Sequence, residues 1–280
     1  MDLTDRLAAF RRSYPYRETA VDGVAWRYRL GGARNAPSVL LLPGGTLVPD
    51  PFFLVIEELG RRYQVIAAAY PPARSMAELV RGATAILDAE RVPAAHVFGS
   101  SFGGYVAQCM VRAHPERVST LILAQTGVRH FVGPTPITVL RWLLQAAPAP
   151  VVRWFMWRTW QVLIADIGGD KRFWMGLLHN ILETELSKAH LVAVTAAIAD
   201  FTAHHRPIPG DLSAWAGSVL LLQSERDRAF AAQAAEIEAV YPHATVRILR
   251  GAGHGALFTH TDQYVNELEL FLAAHATAGH

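Results

Sequence analysis

The chain has 280 residues, of which 51% are apolar, with a formal charge of +2 and a single cysteine, Cys109. The length suits one large α/β domain, or one such domain carrying an insertion. Near-balanced charge gives no electrostatic case for a nucleic-acid partner, and a lone cysteine excludes an internal disulfide.

Residues 1–13 read as a short amphipathic helix. Asp2, Asp5 and Arg6 leave no apolar run there, so no signal peptide is expected and a cytoplasmic setting is compatible. Val24 to Leu30 alternates apolar and polar residues, as an outer strand does. Val39-Leu40-Leu41-Leu42 is a continuous apolar run, the pattern of a parallel strand buried on both faces, and it ends in Pro43-Gly44-Gly45-Thr46. A helix is predicted over Phe52 to Gly60 and a strand over Gln64 to Ala69. Ser75, with Glu78 three residues later, opens a helix that runs to about Glu90. Ala95 to Phe98 and Thr120 to Ala124 read as buried strands flanking a helix that ends before Pro115. This alternation is that of a mostly parallel sheet with helices on both faces.

Residues 128–212 carry no strand pattern. They hold Trp142, Trp154, Trp157, Trp160 and Trp174 among many aliphatic residues, with Gly133-Pro134 and Pro148-Ala149-Pro150 as punctuation. We read a helical lid inserted between the two parts of the core, 1–127 and 213–280. Arg153, Arg158, Asp166 and two prolines interrupt its apolar stretch, so no membrane span is expected, although contact at a membrane surface stays compatible. Strands return at Val219 to Gln223 and Thr245 to Leu249, with a helix over Ala231 to Tyr241 between them. A helix over Asp262 to Ala274 closes the chain.

Gly99-Ser100-Ser101-Phe102-Gly103 contains G-x-S-x-G, placed between a predicted strand and a predicted helix. That is the context of a nucleophile elbow: small residues two before and two after the serine let the chain turn sharply and lift Oγ clear of the sheet. The rival, a nucleotide-binding turn, lacks a G-x-G-x-x-G or a Walker lysine. A serine hydroxyl needs a base, and the base needs an orienting acid. His254 follows the last predicted strand; His260, His275 and His280 come later. Glu225 and Asp227 both follow the strand before it and compete as the acid. For the oxyanion of an acyl-transfer intermediate, the Phe102 N–H is one donor. The second donor is assigned to Gly45, with Thr46 as the alternative. Leu47, Ser100, Trp154 and Trp157 are the candidates for substrate contact. No histidine pair has metal-ligand spacing.

With these motifs quoted, the chain resembles the α/β-hydrolase fold superfamily over essentially its whole length. Within it, Phe10-Arg11-Arg12-Ser13-Tyr14-Pro15, Leu41-Leu42-Pro43-Gly44-Gly45-Thr46, Val65-Ile66-Ala67-Ala68-Ala69-Tyr70-Pro71 and His96-Val97-Phe98-Gly99-Ser100-Ser101-Phe102-Gly103-Gly104 are similar to maspardin-like proteins. The superfamily implies the order serine, acid, histidine, and its G-x-x-D pattern, with Ser224 at the glycine, favours Asp227 as the acid. It implies no cofactor, and chemistry from ester or thioester hydrolysis to lyase or cyclising steps. A serine at the elbow argues against epoxide hydrolases and dehalogenases, which place aspartate there. The expectation is a serine hydrolase acting on a small apolar carboxylic ester. Maspardin-like proteins are often regarded as interaction proteins; the retained Asp227 and His254 depart from that. Oligomeric state stays open, a homodimer included.

Overall fold

The computed structural model describes residues 2–33, 35–130, 134–165 and 170–275. Gly133, Asp166 and His280, named above, lie outside them. The described residues build one eight-stranded sheet: β1 (Tyr16–Val21), β2 (Val24–Gly32), β3 (Ser38–Leu42), β4 (Gln64–Ala69), β5 (Ala95–Ser100), β6 (Val118–Ala124), β7 (Ser218–Ser224) and β8 (Thr245–Leu249), in spatial order β1-β2-β4-β3-β5-β6-β7-β8. β1–β2 and β2–β4 are antiparallel, and every other pairing is parallel.

The central strands are buried on both faces: β3 and β5 along their whole length, β4 beyond Gln64. Their aliphatic runs therefore carry no alternation. Helices α1 (Leu3–Ser13), α2 (Phe53–Leu59), α3 (Met76–Ala89), α4 (Phe102–Ala113), α9 (Ala234–Val240), α10 (Ala256–Thr259) and α11 (Thr261–His275) belong to the same unit. The Ser75 side chain accepts from the Glu78 N–H and fixes the start of α3.

Two elements went unpredicted. β1 pairs with β2 through a tight Asp22-Gly23 turn, both residues at positive φ (51° and 78°), so β2 is not the edge strand. Arg17 and Glu18 on β1 masked its pattern, yet Asp-Gly is a strong hairpin signal. α10 is too short for periodicity to show it.

Between β6 and β7 stand α5 (Pro134–Ala146), α6 (Ala149–Leu163), α7 (Lys171–Thr184) and α8 (Lys188–His204). α8 packs against α3, α4, α5 and α6 and so ties the inserted helices to the core. Its residues Leu191 to Ala197 are all buried, which only a helix surrounded on every side can be. None of the described helices is long and apolar enough to cross a membrane.

At the end of the loop that follows β3, Asp50 is almost completely enclosed. Arg29 Nη2 approaches it at 3.1 Å and Arg11 Nε at 2.6 Å, and the Tyr16 hydroxyl donates to it. The cluster anchors the end of the 43–50 loop to the N-terminal helix and the first hairpin.

Candidate active site

Ser101 occupies the turn between β5 and α4 at φ 52°, ψ −116°, a region L side chains rarely enter. The surrounding bonds hold it there. The Ser101 N–H donates to the Ala124 carbonyl at 2.9 Å, and Thr126 Oγ1 donates to the Ser101 carbonyl at 2.8 Å. The flanking glycines are dictated by space. A Cβ on Gly99 would stand 2.4 Å from the Gly103 carbonyl oxygen, and one on Gly103 would stand 2.0 Å from that of Leu42.

β7 ends in the loop that carries Asp227, and β8 in the loop that carries His254. The three side chains meet at the carboxyl ends of parallel strands, where open α/β sheets place their chemistry. His254 Nε2 lies 3.1 Å from Ser101 Oγ, and His254 Nδ1 lies 3.0 Å from Asp227 Oδ2. The other Asp227 oxygen accepts the N–H groups of Ala229 and Phe230 at 2.9 and 3.2 Å. Asp227 is 2% exposed. Burial pushes its pKa up, but the hydrogen bond and charge of His254, with the two N–H donors, outweigh it and hold the carboxyl below its ordinary value. Glu225 is exposed, and its carboxylate accepts the Gly251 N–H instead of facing His254. The Phe230 ring packs against the imidazole at a centroid distance of 5.6 Å.

Since the imidazole faces a carboxylate acceptor, Nδ1 carries its proton and Nε2 presents a lone pair to Ser101. The arrangement can deprotonate the hydroxyl as it attacks an electrophilic carbon. The Phe102 N–H, first in α4, has no acceptor among the described residues, and neither has the Gly45 N–H. The loop carrying Gly45 lies against the elbow: a Cβ on Gly44 would stand 3.3 Å from Ser101 Cβ.

Ser101 and His254 open into a cavity of about 300 Å3. Gly45, Thr46, Ser100 and Phe102 line it, as do Phe52, Phe230 and Phe258 from the core and Leu140, Phe155 and Trp160 from the inserted helices. No Lys, Arg, Asp or Glu is among its described lining residues. His130 also reaches it, with burial lowering its pKa to about 4. A second cavity, about 410 Å3, is lined by Asp227 and by residues of β7, β8 and α9; neither Ser101 nor His254 reaches it.

Three expected substrate contacts are not brought to this cavity. Leu47 is buried in the core, 2% exposed, where its carbonyl accepts the Tyr70 N–H. Trp154 points outward and is 64% exposed. Trp157 sits edge-on against His179, 5.1 Å between centroids. The tryptophan on the inner face is Trp160. A methyl placed on Gly45 would stand 3.9 Å from its Nε1, and that N–H has no partner among the described residues. Counting from Trp154 and Trp157 around a helix separates Trp160 from Trp154 by 240°, but which side faces inward depends on partners that the sequence does not name. Phe230 and Gln125 also line the cavity, and the sequence does not mark them for a similar reason: each is a loop residue with no pattern of its own.

A sequence profile described as "Alpha/beta hydrolase family" matches residues 39–267. No curated protein matches the chain in sequence. Among solved structures it is similar to a carboxylesterase from the ammonia-oxidising thaumarchaeon Nitrososphaera gargenis (18% identity, 94% of this chain and 100% of that one, TM-score 0.72). It is also similar to the enol-lactonase from Burkholderia xenovorans LB400 (15%, 92% and 100%, TM-score 0.77). A third is 2-hydroxy-6-oxo-6-phenylhexa-2,4-dienoate hydrolase from Rhodococcus sp. strain RHA1 (17%, 91% and 97%, TM-score 0.70). At these identities the likeness is one of fold.

Proposed function

The chain belongs to the alpha/beta hydrolase family, and within it we propose a serine hydrolase that cleaves a carboxylic ester or thioester of a small apolar substrate. The observation that carries this reading is the line Asp227 Oδ2–His254–Ser101 Oγ, with both gaps at hydrogen-bond distance, at the wall of an uncharged cavity. Ser101 Oγ attacks the carbonyl carbon while His254 Nε2 takes its proton. Asp227 holds the imidazole and stabilises it when charged. The Phe102 and Gly45 N–H groups receive the oxyanion, with Thr46 as the alternative donor. His254 returns the proton to the leaving alcohol or thiol. Water, activated by the same imidazole, then releases the acid from Ser101.

Substrate class is read from the lining. The Rhodococcus relative is named for a dienoate, an anion. Binding an anion out of water calls for a paired charge, and the described cavity residues supply no Lys or Arg. A neutral ester with an apolar acyl group fits better. The inserted helices serve as its lid.

The test is labelling by a fluorophosphonate, with peptide mapping. Rapid modification at Ser101, lost in His254→Ala, is the expected result, together with a loss of several orders of magnitude in ester turnover by Ser101→Ala. Absence of labelling, or unchanged turnover in Ser101→Ala, overturns the reading. The resemblance to maspardin-like proteins supports one rival, a fold kept for partner binding; it predicts an unreactive serine and a captured protein.

A further inference from the structure

Ten large apolar side chains are exposed among the described residues, and six belong to α5 and α6: Val139, Trp142, Leu143, Val151, Trp154 and Val162. Single exposed apolar residues are ordinary; this concentration on two helices is not. The helices meet at the Ala147-Pro148 corner, from which Leu143, Trp142 and Val139 run back along α5 and Val151, Trp154 and Val162 run forward along α6. The same two helices line the cavity through Leu140, Phe155 and Trp160.

Charge says what covers this face. From residue 134 to 165 the sequence has Arg141, Arg153 and Arg158 and no Asp, Glu or Lys. The Arg141 guanidinium lies 4.6 Å over the exposed Trp142 ring and Arg158 is exposed, while Nε of Arg141 and of Arg153 is buried without a hydrogen-bond partner among the described residues. A second copy docked by the same face would set these arginines against each other with no carboxylate between them, so a two-fold dimer there is disfavoured. A bilayer with anionic headgroups offers the complement: apolar depth for the tryptophans and aliphatics, and phosphates for the arginines.

We propose that the α5–α6 face docks on an anionic lipid surface and lies in its interface, with the catalytic cavity behind it. Delivery of a lipid-dissolved ester to that cavity rests on the hydrolase reading above; the docking itself does not.

Flotation tests it, with vesicles of phosphatidylcholine alone and of phosphatidylcholine mixed with phosphatidylglycerol. The protein should float with the mixed vesicles and far less with the neutral ones. Arg141→Gln/Arg158→Gln should bind the mixed vesicles on the order of 10-fold more weakly or worse. Trp142→Ser/Trp154→Ser should lose flotation while hydrolysing a soluble short-chain ester at the parent rate, since neither ring reaches the cavity. Ser101→Ala should float like the parent, which separates docking from catalysis. Flotation with neither vesicle, or flotation unchanged in the tryptophan variant, overturns the proposal. So does a lipid-free dimer that the tryptophan variant converts to monomer.

Discussion

Asp227→Asn tests the proton inventory of the site directly. Asp227 Oδ1 accepts two backbone N–H groups, and an asparagine carbonyl can keep both. Its amide nitrogen then replaces Oδ2, which faces His254 Nδ1 at 3.0 Å. A donor now meets Nδ1, so Nδ1 becomes the acceptor and the proton moves to Nε2. The imidazole then points an N–H at Ser101, 3.1 Å away, and cannot take the serine proton. Burial leaves no room for solvent to repair the pairing. Turnover should fall about 10^4-fold, the scale of a wrong-tautomer triad, which corresponds to about 5 kcal/mol in the barrier. The lost charge-assisted bond should cost the fold no more than about 3 kcal/mol. The assay is steady-state hydrolysis of p-nitrophenyl butyrate, with a circular-dichroism melt to show folding and Glu225→Gln as the control that should match the parent. An Asp227→Asn enzyme within about tenfold of the parent, a barrier change of no more than about 1.4 kcal/mol, refutes the assignment.

Four other outcomes follow from the same coordinates. Trp160→Phe keeps an aromatic ring but removes the pyrrole half of the indole, with the N–H beside Gly45 that has no partner among the described residues; if that N–H donates to bound ester, kcat/KM should drop about 2- to 10-fold, and an unchanged value denies it the role. Gly103→Ala forces a methyl to 2.0 Å from the Leu42 carbonyl oxygen, whereas Gly176→Ala in α7 meets nothing within 4 Å; thermal melts should show the first destabilised by about 1–3 kcal/mol or more and the second stabilised by about 0.5–1 kcal/mol. Asp50→Ala strands Arg29, whose side chain is 6% exposed, and urea unfolding should report a loss of about 3–5 kcal/mol, largely recovered when Arg29→Met is added. Burial, with a smaller contribution from His275, lowers the His96 pKa to about 4. The unfolded chain therefore binds the proton first, so this stability is full above about pH 6.5 and about 3 kcal/mol is lost as pH falls to 4; an NMR titration midpoint near 6.5 for the His96 ring would contradict it.

The legible parts of the sequence are those where one local rule suffices. The run Val39 to Leu42 needs only burial on both faces, and the glycines at 99 and 103 need only space beside Leu42 and one another. Ser101, His254 and the acid could be named because each stands just after a strand whose pattern is clear. The acid needed more, since Glu225 and Asp227 are two residues apart on one loop; the fold separates them by turning Glu225 toward the Gly251 N–H. Leu47 shows where local reading fails. It sits next to the loop that borders the cavity, but its positive φ of 61° turns it into the core.

That the insertion is helical is legible, but which sides of its helices face inward is not, for a reason tied to what they do. An amphipathic stripe is legible when one side of a helix meets the core and the other meets water. α8 meets protein on all sides, so its apolar residues carry no phase. α6 has Phe155, Met156, Trp160 and Leu163 toward the cavity and Val151, Trp154 and Val162 outward. Apolar residues on both sides cancel the stripe, and all three tryptophans of α6 look alike from sequence. The same cancellation is what a lipid-facing wall of an apolar cavity requires. The likeness of the two sides of α6 in sequence and the proposed docking face are therefore two consequences of one distribution of side chains. Moving polarity to the outer side, as Trp142→Ser/Trp154→Ser does, should remove the docking and leave the cavity wall as it is.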